Sequence, residues 1–415
     1  MELLHIIATL VTVTAVFSYI NHRFIRLPTT IGVMVVALVF SVVLLVLGWA
    51  GLDSVSTAAA NLIVSVDFNT TLLNGMLSFL LFAGALHINL DDLAQQKWVV
   101  LSLATVGVIT STLLIGFISW FGLKFFDIEA PLVYCLLFGA LISPTDPIAV
   151  LSTLKTAGVP KTLEIKIAGE SLFNDGVGVV IFLVLFGVVT NPAEATLSHG
   201  LILFVQEAVG GALFGLAIGA LAYWMLKSVD NYQVEVLITL ALVTGGYALA
   251  MSLHLSGPIA MVIAGLFIGN HGRLFAMSDT TREHLDTFWE LVDEILNAVL
   301  FVLIGLEVLA LDIKIEYLLA GVVAIVLVLL VRFVSVGIPI TILKFKREFS
   351  PNVVRILVWG GLRGGISVAL ALSLPDGAQR DFIVAVTYVI VVFSIVVQGL
   401  TIGKLVRRSQ IQHVG

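Results

Sequence analysis

The sequence carries little charge, because only 12% of its 415 residues are Asp, Glu, Lys or Arg, whereas 59% are hydrophobic. A soluble domain needs far more polar side chains to cover its exterior, so the composition excludes a soluble protein. Apolar runs of about 20 residues recur along the whole chain, and each is long enough to cross a bilayer core of roughly 30 Å. We therefore expect an all-α polytopic membrane protein.

A single cysteine, Cys135, excludes a disulfide framework, and no Cys/His cluster has the spacing of metal ligands. The sequence contains no nucleotide-binding loop, no large soluble domain and no recognisable nucleophile–base pair. We therefore expect neither ATP coupling nor enzymatic activity, and no cofactor or nucleic-acid partner. Residues 1–20 lack the basic flank of a signal peptide, so we predict that they form a retained first span.

Apolar runs and their breaks predict about thirteen transmembrane helices. They lie at residues 3–20, 29–49, 70–90, 98–122, 132–154, 163–190, 201–226, 234–252, 256–271, 288–309, 316–343, 353–373 and 381–403. An odd number fits a single unit, 1–415, made of two inverted six-helix repeats (1–200 and 234–415) joined by a linking helix (201–233). Helices 5 and 12 then occupy corresponding positions, and both contain helix-breaking sequence. We predict that these broken helices cross, which in transporters marks the binding site.

Loop charges predict the orientation. If the N-terminus is outside, the cytoplasmic loops and span ends hold sixteen cations: Arg23, Arg26, Lys97, Lys155, Lys161, Lys166, Lys227, Arg273, Arg282, Lys344, Lys346, Arg347, Arg355, Lys404, Arg407 and Arg408. The opposite side holds three: Lys124, Lys314 and Arg380. Because cytoplasmic loops are enriched in Lys and Arg, we expect the N-terminus outside and the C-terminus in the cytoplasm.

Helix 5 is interrupted at residues 143–147 (Ser-Pro-Thr-Asp-Pro). Each proline removes a backbone donor and disfavours the helical conformation of the residue before it. The unwound backbone leaves carbonyls, such as that of Thr145, free to bind a cation, provided that it is buried or lines a cavity. Asp146 either contributes to such a site or caps the following half-helix, and the two roles can coexist.

Helix 6 contains Gly-Glu-Ser-Leu-Phe-Asn-Asp-Gly at residues 169–176. Such polarity is costly in a membrane unless it is partnered or functional. Helical spacing places Ser171 and Asp175 on one stripe, with Glu170 and Asn174 on the adjoining stripe. We interpret Asp175 and Ser171 as oxygen ligands of a cation; the alternative is a polar contact between helices.

Helix 12 contains four glycines around Arg363, at residues 360–365. A buried guanidinium needs an acidic partner. Glu170 and Asp146 are the candidates, and we favour Glu170, since that choice leaves Asp175 unpaired and able to titrate. We interpret Arg363 as a structural clamp between helices 6 and 12.

These motifs resemble the NhaP/NHE branch of the cation/proton antiporter superfamily, whose hallmark is an Asn-Asp pair in a Glu-Ser-x-x-Asn-Asp helix. The resemblance covers nearly the whole chain and rests on residues 81–86 (LFAGAL), 145–147 (TDP), 170–175 (ESLFND), 254–257 (HLSG) and 361–364 (GLRG). It implies that the ion is surrounded by Asp175, Asp146, Ser171 and the backbone of Thr145.

The same resemblance implies that Asn174 supports the site and that Glu170 pairs with Arg363. It also implies a homodimer in the cell (inner) membrane, surrounded by lipid, in which a core domain moves like an elevator against a dimerisation domain. Members with an Asn-Asp pair resemble the electroneutral group, which indicates one proton per Na+.

One departure from the family concerns helix 3, where members often carry an acidic residue and this chain has Ala83. A direct or water-mediated ligand is therefore missing, which bears on the preference for Na+ over K+. Near the start of helix 10, we interpret Glu290, Asp293 and Glu294 as a solvated helix end.

A carboxylate in a partly dehydrated cavity has its charged form disfavoured, so Asp175 can hold either a proton or a cation. We predict a secondary active Na+(Li+)/H+ antiporter with a role in pH homeostasis, in which H+ and the cation compete for Asp175 during alternating access. A K+/H+ antiporter and a cation channel are the alternatives.

Overall fold

In a computed structural model, the chain is described over residues 3–50, 68–125, 130–157, 159, 161–191, 197–311, 314–345, 347, 349 and 352–411. These residues form helices and short connections, and within these ranges the only extended pairing is one isolated β-bridge. The predicted all-α membrane fold is confirmed.

The helices are numbered in chain order. Four of them (α3, α4, α9 and α13) contain a short π-helical stretch, and a fifth such stretch, Asn21–Ile25, directly follows α1. They are α1 (Leu3–Ile20), α2 (Thr29–Trp49), α3 (Phe68–Thr70 continuing to Leu77–Leu86), α4 (Leu90–Ser102 continuing to Val108–Phe125), α5a (Leu132–Ile142), α5b (Ile148–Ala157), α6 (Lys161–Thr190), α7 (Leu197–Lys227), α8 (Tyr232–Ser252), α9 (Gly257–Phe267 continuing to Arg273–Phe275), α10 (Asp279–Glu307), α11 (Ile315–Leu343), α12a (Val353–Trp359), α12b (Gly365–Leu372) and α13 (Ala378–Phe393 continuing to Gly399–Ile411).

Each predicted span coincides with one helix or with a pair of half-helices. Within the described ranges, ten helices are long and apolar enough to cross a membrane. The other three positions are the broken helices α5 and α12, and α10, whose first half is rich in acidic residues. The count of thirteen crossings, the inverted repeats and the division at 1–200, 201–233 and 234–415 stay predictions.

Several helices begin at a side-chain cap. The caps are Asn89 before α4, Asn231 before α8, Ser256 before α9 and Ser278 before α10. Each side chain accepts a hydrogen bond from a backbone N–H of the first turn, which otherwise has no intrahelical partner. These caps fix where the chain leaves each turn and enters the membrane-spanning part of the next helix.

The helices pack mainly within two bundles. The site bundle consists of α4, α5a, α5b, α6, α11, α12a, α12b and α13. The flanking bundle consists of α1, α2, α3, α7, α8, α9 and α10. The bundles meet where α6 packs on α7 and α9, and where α12b packs on α3 and α10.

The flanking bundle is held together around Trp289 of α10, which is fully buried. Its ring centroid lies 4.8 Å from that of Phe82 in α3, and its Nε1 donates to Oγ1 of Thr239 in α8 at 3.1 Å. A buried Trp with its N–H satisfied contributes a large apolar area without the cost of an unpaired donor. These contacts of Trp289 therefore fix the position of α10 relative to α3 and α8.

Candidate functional site

The break in helix 5 lies between α5a and α5b, as the sequence predicts. In this stretch, the backbone N–H of Asp146 donates to the carbonyl oxygen of Leu362 at 2.8 Å, which forms the isolated antiparallel bridge. The carboxylate oxygen Oδ1 of Asp146 accepts from the backbone N–H of Ile148 at 2.9 Å. Asp146 thus caps α5b while its carboxylate remains at the break.

The break in helix 12 meets the break in helix 5 through this bridge, because Leu362 lies between α12a and α12b. The approach is very close at Gly364, where an added Cβ would overlap the carboxylate of Asp146. Only glycine leaves room for that carboxylate. The crossing of the two unwound stretches therefore depends on Gly364.

The polar face of α6 contacts the same break. The amide of Asn174 binds Thr145 twice: its Nδ2 donates to Oγ1 of Thr145 at 2.8 Å, and its Oδ1 accepts from the backbone N–H of Thr145 at 3.1 Å. The hydroxyl of Ser171 donates to the carbonyl oxygen of Thr145. All three residues are buried. The unwound backbone around Thr145 is therefore fastened to an intact helix.

A cavity of about 1040 Å³ lies between the two bundles. It is lined by all four residues predicted to bind the ion: Asp175, Asp146, Ser171 and Thr145. Ala83 of α3 faces them from the flanking bundle. The residue Asp175 is 8% exposed, and among the described residues none forms a hydrogen bond or ion pair with its carboxylate. This carboxylate is thus left open to the cavity.

The expected pair between Glu170 and Arg363 is wrong. Nη1 of Arg332, in α11, lies 2.6 Å from Oε1 of Glu170, and both side chains are almost fully buried. Arg363 instead donates from Nη1 to the carbonyl oxygens of Ser143 and Pro144, each at 2.9 Å. These two carbonyls directly follow the last residue of α5a, Ile142. Because the helix ends there, no further turn supplies backbone donors to them, and they accept hydrogen bonds from the guanidinium.

Arg363 is therefore a clamp between helices 5 and 12 rather than between helices 6 and 12. Its own backbone N–H donates to Oγ of Ser394 in α13 at 2.9 Å. The clamp between α6 and its neighbours is provided by Arg332, which also packs against Gly361: an added Cβ there would lie 2.8 Å from Nε of Arg332. Two buried arginines, Arg332 and Arg363, thus support the crossing.

One wall of the cavity is acidic. Asp286, Glu290, Asp293 and Glu294 of α10 all line it. Asp286 pairs with Arg273 at 2.6 Å, whereas the other three form no ion pair with any described residue. The interpretation of Glu290, Asp293 and Glu294 as merely a solvated helix end is incomplete, since they face the same cavity as Asp175. Negative charge lining a cleft raises the local concentration of cations.

Sequence reasoning missed Asn297, which continues this acidic face by one turn. It is 2% exposed, lines the cavity, and its Oδ1 has no hydrogen-bond partner. The signal that could have found it is its spacing from Glu290, Asp293 and Glu294, which places all of them on one helical face. Ser367 of α12b also lines the cavity and was missed.

The donors gathered here are almost all oxygens, which suit hard cations such as Na+ and K+. Across the described ranges, no group of three or more His, Cys, Asp or Glu side chains could hold a metal ion. The arrangement offers two carboxylates, a hydroxyl and a backbone carbonyl beside a cavity. It can therefore exchange a proton for a cation at a carboxylate.

A family model and two curated relatives match this chain over nearly its whole length. Residues 11–408 match the family model described as sodium/hydrogen exchanger, transmembrane. The chain is 51% identical over 410 residues to the Na(+)/H(+) antiporter NhaP of Pseudomonas aeruginosa, covering 98% of this chain and 97% of the relative. It is 36% identical over 413 residues to the Na(+)/H(+) antiporter NhaH of Halobacillus dabanensis, covering 98% and 97%.

Among solved structures, the sodium proton antiporter MjNhaP1 of Methanocaldococcus jannaschii at pH 8 superposes with a TM-score of 0.76. The match covers 98% of each chain at 20% sequence identity. At this identity the match establishes a shared fold.

Proposed function

Because the chain belongs to the sodium/hydrogen exchanger family, we propose that it is a secondary active antiporter that exchanges Na+, or Li+, for protons across the cell (inner) membrane. The observation that carries this proposal is the open carboxylate of Asp175, which faces a cavity where two broken helices cross. Transport of ions, rather than covalent chemistry, is the activity that this family implies.

In the proposed mechanism, H+ and the cation compete for Asp175. The carboxylate is neutralised by either ligand and is charged when empty, and moving an uncompensated charge past an apolar wall is unfavourable. Asp146, Ser171 and the carbonyl oxygen of Thr145 supply further oxygen ligands to the cation. The relatives NhaP of Pseudomonas aeruginosa and NhaH of Halobacillus dabanensis are both Na(+)/H(+) antiporters, which supports Na+ as the substrate.

Movement of the site bundle against the flanking bundle would expose the cavity alternately to the two sides of the membrane. Two features favour such a rigid-body movement. The polar groups around Asp175 are hydrogen-bonded within the site bundle, and the acidic wall belongs to the flanking bundle. We further propose that the protein is a homodimer with its N-terminus outside and its C-terminus in the cytoplasm, and that it contributes to pH homeostasis.

We also propose that the exchange is electroneutral. Asn174 stands next to Asp175 and carries no titratable proton, and both ends of its amide are occupied by Thr145. A single carboxylate that alternates between one proton and one monovalent cation moves no net charge. A current that accompanies transport in voltage-clamped proteoliposomes would contradict this stoichiometry.

Potassium is the alternative substrate that the cavity itself suggests, because Ala83 supplies no oxygen ligand to the cavity wall. The purified protein should be reconstituted in proteoliposomes, and the dissipation of a pH gradient measured with Na+, Li+ and K+ supplied separately. We expect Na+ and Li+ to dissipate the gradient. Activity with K+ alone would identify a K+/H+ antiporter, and cation flux without proton movement would identify a channel.

The same assay tests the role of Asp175. The variant Asp175→Asn should fold normally and lose exchange, because an amide cannot trade a proton for a cation. The matched control is Asp279→Asn, since the side chain of Asp279 is 98% exposed at the start of α10 and outside the cavity. Exchange by Asp175→Asn at the rate of the control would overturn the proposed mechanism.

A further inference from the structure

A second concave feature lies away from the ion cavity, on the outer surface of the site bundle. It is a groove of about 540 Å³ between the end of α11 and the beginning of α12a. Its wall along α11 is formed by apolar side chains with large exposed fractions: Phe333 (56%), Val334 (38%) and Ile338 (51%). On a membrane-spanning helix, such side chains face lipid tails.

Two cations stand where this groove reaches the connection between the helices. Lys344 follows the last residue of α11, and Arg355 lies in the first turn of α12a; both side chains are exposed and line the groove. Neither forms an ion pair with a described residue. Asn352, beside them, makes no capping hydrogen bond with its side chain. Two cations that lack an ion pair with described residues therefore adjoin an apolar wall.

We propose that this groove binds one anionic phospholipid, with its phosphate between Lys344 and Arg355 and an acyl chain along α11. The charges argue for an anionic headgroup, since basic residues at the ends of membrane-spanning helices attract anionic lipids. The exposed apolar wall argues for a lipid rather than a soluble anion, because an ion would leave that wall without a partner. The wall from residue 333 to residue 341 is about 12 Å long at the rise of an α-helix.

The groove is coupled by contacts to the helices of the ion site. Phe349, which lines it, lies under the ammonium of Lys166 in α6, with Nζ 4.8 Å from the ring centroid. The other wall helix, α11, carries Arg332, the partner of Glu170. A lipid seated between α11 and α12a would hold these elements together, so its binding should stabilise the folded protein.

Thermal denaturation of the purified full-length protein in detergent tests the proposal without relying on transport. Phosphatidylglycerol, phosphatidylcholine with the same acyl chains, or glycerol phosphate is added at increasing concentration. A ligand that binds only the folded state raises the midpoint in a saturable way. We expect phosphatidylglycerol to give this rise, and the other two additives to give little or none.

Two kinds of variant locate the site. The double variant Lys344→Gln/Arg355→Gln should lose the rise with phosphatidylglycerol. Gly337→Leu should lose it too, because a Cβ at Gly337 meets no atom within 4 Å and the new side chain enters the groove instead of the protein. Lys227→Gln, which removes an exposed cation at the end of α7, should retain it.

Three results would overturn the proposal. An equal rise with phosphatidylcholine would remove the need for a negative charge, and an equal rise with glycerol phosphate would remove the need for an acyl chain. A full phosphatidylglycerol rise in the double variant would place the lipid elsewhere. If that variant does not fold, Gly337→Leu decides the matter alone, and its retention of the rise would contradict the groove as the site.

Discussion

The buried pair between Glu170 and Arg332 gives a sharp prediction about stability. In Arg332→Gln, the carboxylate of Glu170 keeps its 2% exposure but loses the cation 2.6 Å away. Removing one partner of a buried ion pair costs roughly 3–5 kcal/mol, because the remaining charge is uncompensated. At about 2 °C per kcal/mol, the lower end for large domains, the midpoint of thermal denaturation should fall by about 6–10 °C.

A double-mutant cycle then identifies the partner of Glu170. Glu170→Gln/Arg332→Gln should recover most of the lost stability, since no uncompensated charge remains. Glu170→Gln should rescue Arg363→Gln much less, because Arg363 donates to the carbonyl oxygens of Ser143 and Pro144 and not to Glu170. Residues in direct contact show interaction energies of about 0.5–3 kcal/mol or more, whereas independent sites are additive within about 0.5 kcal/mol.

The measurement is the denaturation midpoint of purified wild type, the three single variants and the two double variants, in one detergent and at one protein concentration. The reasoning is refuted if Arg332→Gln unfolds at the wild-type midpoint. It is also refuted if Glu170→Gln rescues Arg363→Gln in place of Arg332→Gln.

Three further predictions concern transport in proteoliposomes. Gly364→Ala should slow exchange at least about fivefold, because its Cβ overlaps the carboxylate of Asp146 and overpacking costs about 1–3 kcal/mol. Thr145→Val should raise the Na+ concentration for half-maximal exchange about tenfold, since the buried Nδ2 of Asn174 loses its acceptor at a cost of about 1–3 kcal/mol. Ala83→Asp should lower that concentration, because it adds an oxygen ligand to the cavity wall.

Matched variants separate these effects from general damage. Gly245→Ala, where a new Cβ meets nothing within 4 Å, and Thr244→Val, on an exposed part of α8, should transport like wild type. Ala83→Asn separates the negative charge from the added oxygen. Wild-type kinetics in Gly364→Ala or Thr145→Val would contradict the packing described for the crossing. If Ala83→Asp leaves the half-saturating concentration of every cation unchanged, the cavity wall at Ala83 does not face the transported ion.

Sequence reasoning located the helices and the two breaks because these depend on local properties. Length and hydrophobicity determine which segments span a membrane. The prolines of residues 143–147 interrupt a helix whatever its tertiary contacts. The convergence of Ser171, Asn174 and Asp175 also follows from local spacing, since one helix carries all three.

The partner of Glu170 could not be predicted in this way. Arg332 and Arg363 are both buried and both lie in the second half of the chain. Only the three-dimensional position of α11 relative to α6 decides which of them reaches Glu170. The direction of the acidic face of α10 could not be predicted from the sequence either. The spacing of Glu290 and Asp293 predicts that they share a helical face but not which neighbouring helices that face points toward. Its direction depends on the burial of Trp289 on α3 and α8.

The separation of the two bundles has a consequence for how cation preference can change. The oxygen donors around Asp175 and the hydrogen bonds that position them belong to the site bundle, whereas Ala83 and the acidic wall belong to the flanking bundle. In the proposed alternating-access mechanism, one bundle slides past the other, which alters the surroundings of the carboxylates and leaves their own spacing intact. Under this mechanism we expect a few substitutions on the flanking bundle to retune cation selectivity, while the oxygen donors of the site bundle stay unchanged.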